Sequence, residues 1–181
     1  MKIVILDRDG VINQDSDDFI KSVDEFITLP GSIEAIARLK HAGYKVFVAT
    51  NQSGISRGYY DVSTLNAMHK KLAEQLSEFN TEIDGIEYCP HGPDDHCDCR
   101  KPKPGMYLAI AKQLGLSDLS EVLVVGDSLR DLEAAQAVNA RPNLVRTGKG
   151  QRTIEKNKGL EGIPVYNDLA DFVNHLLKKH V

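Results

Sequence analysis

Lys2-Ile3-Val4-Ile5-Leu6-Asp7-Arg8-Asp9-Gly10 opens the chain with a short aliphatic, β-branched run that ends at an acidic pair. A run of this length and composition predicts a strand buried on both faces. Two carboxylates follow at its carboxyl end, and Gly10 permits the turn behind them. Two further segments repeat the pattern. Tyr44 to Thr50 reads as a buried strand leading into Asn51, and Glu121 to Val125 as another ending at Gly126-Asp127.

Helical spacing fills the intervals. Gly31 to Ala42 sets Ile33, Ile36 and Ala37 on one face before the stop at Gly43, and Val62, Leu65, Met68, Leu72, Leu76 and Phe79 recur at helical period. Gly105 to Leu114 and Leu132 to Val138 read as helices, as does a closing stretch with Leu169, Phe172, Val173, Leu176 and Leu177. Weaker strands are expected at Ile83 to Tyr88 and Asn143 to Arg146. Alternation of this kind predicts an α/β chain, a parallel sheet covered by helices on both faces through right-handed crossovers. Ligands of such sheets sit beyond the carboxyl ends of the strands. Asp7, Thr50, Asn51 and Asp127 are therefore expected to converge.

The bulk properties narrow the field. At 181 residues, 41% hydrophobic and 27% charged, the chain is expected to fold as a single domain over residues 1–181. It has no apolar run of membrane-spanning length and no signal-peptide pattern, so a cytoplasmic protein without membrane contact is expected. A net charge of −4 and no basic stripe argue against nucleic acid and for a small-molecule ligand.

Asp7 and Asp9 fit a two-step phosphoryl transfer. A carboxylate attacking phosphorus forms an aspartyl-phosphate, and a second carboxyl group can protonate the leaving oxygen and then activate water. An anionic nucleophile meeting an anionic phosphate calls for Mg²⁺, held by Asp7 and by Asp127 from another strand end. Asp131, one helical turn on, could orient that site. The Thr50 hydroxyl and the Lys101 ammonium can hold the equatorial oxygens. Taken alone, the acidic pair could be a polar turn and Asp127 a helix N-cap. An EF-hand loop is excluded, because its third ligand position falls on Val11.

The ordered segments "LDRDGV", "VATNQSG", "RKPKPG" and "VVGDSLRD" resemble the four motifs of the haloacid dehalogenase superfamily, over roughly residues 2–150. The resemblance implies a Rossmann-like sheet, an Asp7 nucleophile, an Asp9 acid/base whose backbone carbonyl also meets Mg²⁺, and Asp127 as a metal ligand.

All three cysteines fall within eleven residues. Cys89-Pro-His91, five residues, then Cys97-Asp-Cys99 offers three thiolates and one imidazole, a complete set for a structural Zn²⁺. His96 is the alternative to His91. A zinc loop here would brace Arg100 and Lys101. His41, His69, His175 and His180 lie outside any motif and are expected at the surface or in the core.

The cysteine loop followed by "CRKPKPGM" is similar to two branches of the superfamily, the heptose 1,7-bisphosphate phosphatases and the histidinol-phosphate phosphatases. "LPGSIEAIARLKHAGYKVFVATNQSGISRGYY" and "LVRTGKG" resemble the heptose branch, which implies hydrolysis of the C7 phosphate of D-glycero-manno-heptose 1,7-bisphosphate. The short His91 to Cys97 interval resembles the histidinol branch and keeps that ester as the alternative. A zinc-braced binding module without catalysis is the third reading.

The interval from Asp9 to Thr50 has no room for a large cap domain, so short loops must supply recognition. Expected contacts are Asp7, Arg8 and Asp9, then Asp15, Ser16, Asp17 and Asp18, whose acidic groups can accept sugar hydroxyls. Thr50, Asn51, Gln52 and Ser53 follow, with Arg57, Arg100 and Lys101 for the retained phosphate. Without a cap to supply a partner surface, a monomer is expected.

Overall fold

A computed structural model describes residues 1–178. Its six strands form one parallel sheet: β1 (Ile3–Leu6), β2 (Lys45–Asn51), β3 (Gly85–Cys89), β4 (Leu123–Gly126), β5 (Arg141–Val145) and β6 (Val165–Tyr166), in the order β3-β2-β1-β4-β5-β6. Six helices connect or follow them: α1 (Ser32–His41), α2 (Val62–Ser77), α3 (Gly105–Leu114), α4 (Leu129–Ala137), α5 (Gly150–Lys156) and α6 (Leu169–Lys178). The α/β reading holds. Its two omissions are β6, only two residues long, and α5, which carries too short an apolar pattern to stand out.

Every central strand serves two cores. Along β1, Val4 and Leu6 face the cluster that includes Ile36, Leu65, Leu72 and Phe172, from α1, α2 and α6. Ile3 and Ile5 face Tyr107, Ile110, Ala134 and Ala135, from α3 and α4. The same alternation divides Val46 and Val48 from Phe47 and Ala49 along β2. This is why β1 reads as an unbroken apolar run rather than an alternating one.

The chain order fixes where a ligand can sit. From β1 the path moves outward to β2 and β3, then returns to the other side of β1 as β4. The strand ends on either side of that reversal diverge and leave a crevice between β1 and β4. Asp7 donates its backbone N–H to Val125 O at 3.0 Å, which ties the two walls at the crevice floor.

Between β1 and α1, residues 10–31 form a loop pinned by isolated bridges of Asn13 to Asp9 and to Thr28. Helix α2 begins at Asp61, whose carboxylate accepts the Thr64 N–H at 2.8 Å. Its buried Leu65, Met68, Leu72 and Leu76 recur at the expected spacing, while Phe79 falls beyond the helix and is partly exposed. No helix among the described residues is long and apolar enough to cross a membrane. His180 lies outside the described residues.

Leu72 is 1% exposed in the larger core. Leu72→Ala is expected to destabilise the protein by about 2–5 kcal/mol through lost burial and a residual cavity. Chemical denaturation monitored by circular dichroism measures this.

Candidate active site

Asp7, Asp127 and Asp131 meet in the crevice, each offering an oxygen within 4.8 Å of the others. All three are largely withdrawn from water. Burial, then Asp131, pushes the Asp7 carboxyl up to about 6, against the opposing pull of Lys101. Burial, then Asp7 and Asp131, raises Asp127 well above the carboxylate range.

One cation answers this charge. Lys101 Nζ donates to Asp131 Oδ1 at 2.6 Å, to Ala49 O at 2.7 Å and to Asp7 Oδ1 at 3.2 Å, so all three ammonium protons have acceptors. Burial works against that charge, but Asp131 and Asp7 outweigh it and hold the ammonium above its ordinary pKa. Asp131 Oδ2 meanwhile accepts from the backbone N–H of Asp127 and Ser128 and from the Ser128 hydroxyl, at 3.0–3.2 Å. Asp131 is thus fully engaged as a brace. Asp7 and Asp127 face each other as a donor set that fits one hard, oxygen-seeking divalent ion.

Asp127 is gripped from three sides. Its Oδ2 accepts the Lys149 N–H at 2.8 Å, its carbonyl accepts the Thr153 hydroxyl at 2.9 Å, and Gly10 and Gly148 close around the carboxylate. A Cβ on either glycine would overlap Asp127 Oδ2, and both glycines have positive φ.

Asp9 turns away from this cluster. Its Oδ1 accepts three donors: Arg8 Nε at 2.9 Å, Arg8 Nη2 at 2.7 Å and Asn13 Nδ2 at 2.9 Å. Oδ2 meets only Gln52 Nε2, at 3.3 Å. The Arg8 side chain is 0% exposed, stacked over the Phe26 ring and aimed at Met68 and His69. Of the expected ligand contacts, Arg8 thus has its side chain buried behind Asp9 and outside the crevice lining. Its backbone N–H donates to Asp7 Oδ1 at 2.8 Å.

Other expected contacts are sorted by what already engages them. Thr50, Ser53, Arg57 and Arg100 line the crevice. Asn51 also lines it, but its amide forms a reciprocal clamp on the Lys101 backbone, donating to its carbonyl at 3.2 Å and accepting its N–H at 3.0 Å. Gln52 is similarly engaged by Thr50 at 2.8 Å, by Asp9 and by the Tyr60 hydroxyl. Asp15 pairs with Lys149 Nζ at 3.5 Å, and Asp17 makes a two-pronged pair with Arg152 at 2.9 and 3.0 Å. Asp15, Ser16 and Asp17 remain at the crevice mouth, whereas Asp18 is exposed outside it. Ion pairing to α5 and its flank therefore replaces the expected free acidic stretch.

Arg130, Lys149, Tyr60, Phe19 and Ser128 also line the crevice and escaped the sequence reading. Arg130 sits in the first turn of α4 beside the buried Asp131, where a charged residue gives no periodic signal. Arg100, partly buried and near Arg130 and Arg57, has its pKa lowered, first by burial and then by those guanidiniums. Arg57, Arg100 and Arg130 pair with no carboxylate among the described residues. His69, expected at the surface or in the core, is half-buried as a neighbour of Arg8.

Beyond β3 the cysteine loop closes on itself. Sγ of Cys89, Cys97 and Cys99 and Nδ1 of His91 all lie within 4.8 Å of one another. Cys89 and Cys97 sulfurs stand 3.7 Å apart, close to the edge of about 3.8 Å that Zn–S bonds of about 2.3 Å give a tetrahedron. His91, not the exposed His96, supplies the nitrogen. Burial pushes the Cys89 thiol up to about 12; at Cys97 burial acts the same way, but the Arg100 and Cys99 N–H groups outweigh it and bring the thiol down to about 6. Arg100 Nη1 donates to His91 O at 3.3 Å, so the knot bears directly on the crevice wall.

The family model for haloacid dehalogenase-like hydrolases matches residues 3–139. The chain is 58% identical to the D-glycero-beta-D-manno-heptose-1,7-bisphosphate 7-phosphatase of Pseudomonas aeruginosa, covering 97% of this chain and 98% of that one. It is 50% identical to the phosphatase of the same name from Neisseria meningitidis, covering 99% and 97%. The crystal structure of D,D-heptose 1,7-bisphosphate phosphatase from B. bronchiseptica, complexed with magnesium and phosphate, superposes with a TM-score of 0.96 at 53% identity, over 99% of both chains.

The raised Asp7 pKa gives a stability prediction. A carboxyl held above its unfolded value costs stability once ionised, so the penalty grows as pH rises through about 6. In metal-free protein, Asp7→Asn is expected to raise the thermal midpoint at neutral pH, with the gain shrinking toward pH 4. Thermal melts across that range, with a chelator present, measure this.

Proposed function

Because the chain belongs to the haloacid dehalogenase-like hydrolases, we propose that it removes the C7 phosphate of D-glycero-manno-heptose 1,7-bisphosphate, with Asp7 as nucleophile and Asp9 as acid and base. The observation that carries this reading is the meeting of Asp7, Asp127 and Lys101 at the strand reversal, in a chain 50–58% identical across nearly its whole length to phosphatases of that name.

In the first step an Asp7 carboxylate oxygen bonds to phosphorus while the bond to the ester oxygen breaks, and Asp9 delivers a proton to that oxygen. Heptose 1-phosphate leaves. Asp9, now a carboxylate, takes a proton from water as the water oxygen attacks phosphorus. The Asp7–phosphorus bond breaks and inorganic phosphate is released. Lys101 and the Thr50 hydroxyl hold the equatorial oxygens, where charge gathers. Mg²⁺, held by Asp7, Asp127 and the Asp9 carbonyl, neutralises the phosphoryl charge that would repel an anionic nucleophile.

Arg57 and Arg100 hold the retained phosphate, joined by Arg130 from α4. Their lack of acidic partners among the described residues supports this, since unpaired guanidiniums suit a phosphate dianion. The Cys89, His91, Cys97 and Cys99 knot holds Zn²⁺. Four protein ligands leave it no open position, so its part is structural. Residues 1–181 act as one domain, in a cytoplasmic monomer with no nucleic acid or membrane partner.

A side-by-side assay with Mg²⁺ tests the substrate. The heptose bisphosphate is expected to be turned over far faster than histidinol phosphate; the reverse ranking would refute the assignment, and no hydrolysis of either would favour a non-catalytic binding module. Asp7→Asn is expected to abolish turnover with an unchanged circular dichroism spectrum. Zinc analysis of freshly purified protein is expected to give about one ion per chain. Its removal should lower the thermal midpoint and raise KM more than it lowers kcat.

A further inference from the structure

A buried arginine with one unmatched nitrogen stands behind the acid/base residue. Arg8 directs Nε and Nη2 at Asp9 Oδ1, but no carboxylate faces its Nη1. That nitrogen meets Met68 Sδ at 3.6 Å and His69 Nε2 at 3.3 Å, both from α2. Guanidinium has donors only, so Nε2 must be the unprotonated acceptor, and the imidazole proton resides on Nδ1. Burial, then the Arg8 charge, holds the His69 pKa down at about 4, so the ring is neutral and able to accept.

Asp9 is correspondingly fixed. Three donors converge on Oδ1, and only the long Gln52 contact reaches Oδ2. The Asp9 side chain is 23% exposed, against 0% for that of Arg8, and it lines the crevice. Oδ2 therefore has the free acceptor capacity, and the rotation of the carboxyl group is set by where Arg8 lies.

We propose that His69 is a positioning residue for the reaction: by accepting from Arg8 Nη1 it fixes the guanidinium that orients Asp9, so that Asp9 gives and takes the proton through Oδ2. This rests on Asp9 being the acid and base of the proposed hydrolysis. The imidazole never touches substrate. Helix α2 thereby reaches the chemistry through the His69 ring, beside the weaker Met68 sulfur contact.

The two amide substitutions distinguish this role from simple packing. A glutamine carbonyl can reach the place of Nε2, whereas asparagine places its polar atoms near Nδ1, short of Arg8. His69→Gln is expected to keep kcat within about twofold of wild type. His69→Asn should lose about tenfold in kcat, a fraction of the 10²–10⁴ that acid–base catalysis supplies, with KM unchanged. Equal kcat in the two variants would overturn the proposal, as would a loss in His69→Asn that appears in KM or thermal midpoint while kcat holds. The comparison runs on any phosphomonoester that wild type hydrolyses, because the proton goes to the ester oxygen whatever alcohol bears it. Failure on the heptose bisphosphate alone would therefore refute the substrate assignment and leave this test intact.

Discussion

One ammonium group organises the crevice. Lys101 is 3% exposed and carries its charge only because Asp131, Asp7 and the Ala49 carbonyl accept all three protons. Removing Asp131, the closer and fully buried partner, leaves an uncompensated charge, at a cost of about 3–5 kcal/mol. The surroundings protect the arrangement accordingly. Asn51 clamps the Lys101 backbone from β2, Asp131 is held from the amino end of α4, and the cysteine knot fixes the loop just before Lys101. Charge that cannot move and cannot reach water is preorganised for a reaction that gathers negative charge on phosphoryl oxygens.

The balance left over explains the need for a second cation. Burial and the Asp131 charge still hold the Asp7 pKa up despite Lys101, and burial, Asp7 and Asp131 together raise that of Asp127. A divalent ion held by Asp7 and Asp127 would relieve that burden, so on the proposed reading metal binding would also ionise the attacking carboxylate. The Asp9 carboxylate is engaged by Arg8 instead. Two carboxyl groups two residues apart in sequence thus acquire different partners and different work, as a strand end turning through Gly10 allows.

Much of this was legible in the sequence. Buried strands announce themselves as aliphatic runs, and polar residues directly after them, Asp7, Thr50, Asn51 and Asp127, can only surface at one edge of a parallel sheet. The clustering of every cysteine marked the metal knot. What stayed hidden depends on tertiary packing. Arg8 sits between two functional carboxylates and reads as a ligand contact, yet its side chain points into the core toward a helix some sixty positions later. His69 falls among the polar positions of an amphipathic helix, where nothing distinguishes it from a surface residue. Asp15 and Asp17 looked free because Lys149 and Arg152, which pair with them, lie more than 130 residues away. Pairings at such separations leave no local trace.

The closure of Gly10 and Gly148 around Asp127 has a consequence for how this site can diverge. These positions are remote in sequence but occupy one spot in space, and neither can gain a side chain without displacing the carboxylate between them. That wall is closed to innovation. A descendant that learns a new alcohol must therefore do so elsewhere on the crevice lining, by exchanging Arg57, Arg100 or Arg130. The phosphate end of the ligand is held constant while its other end is free to change.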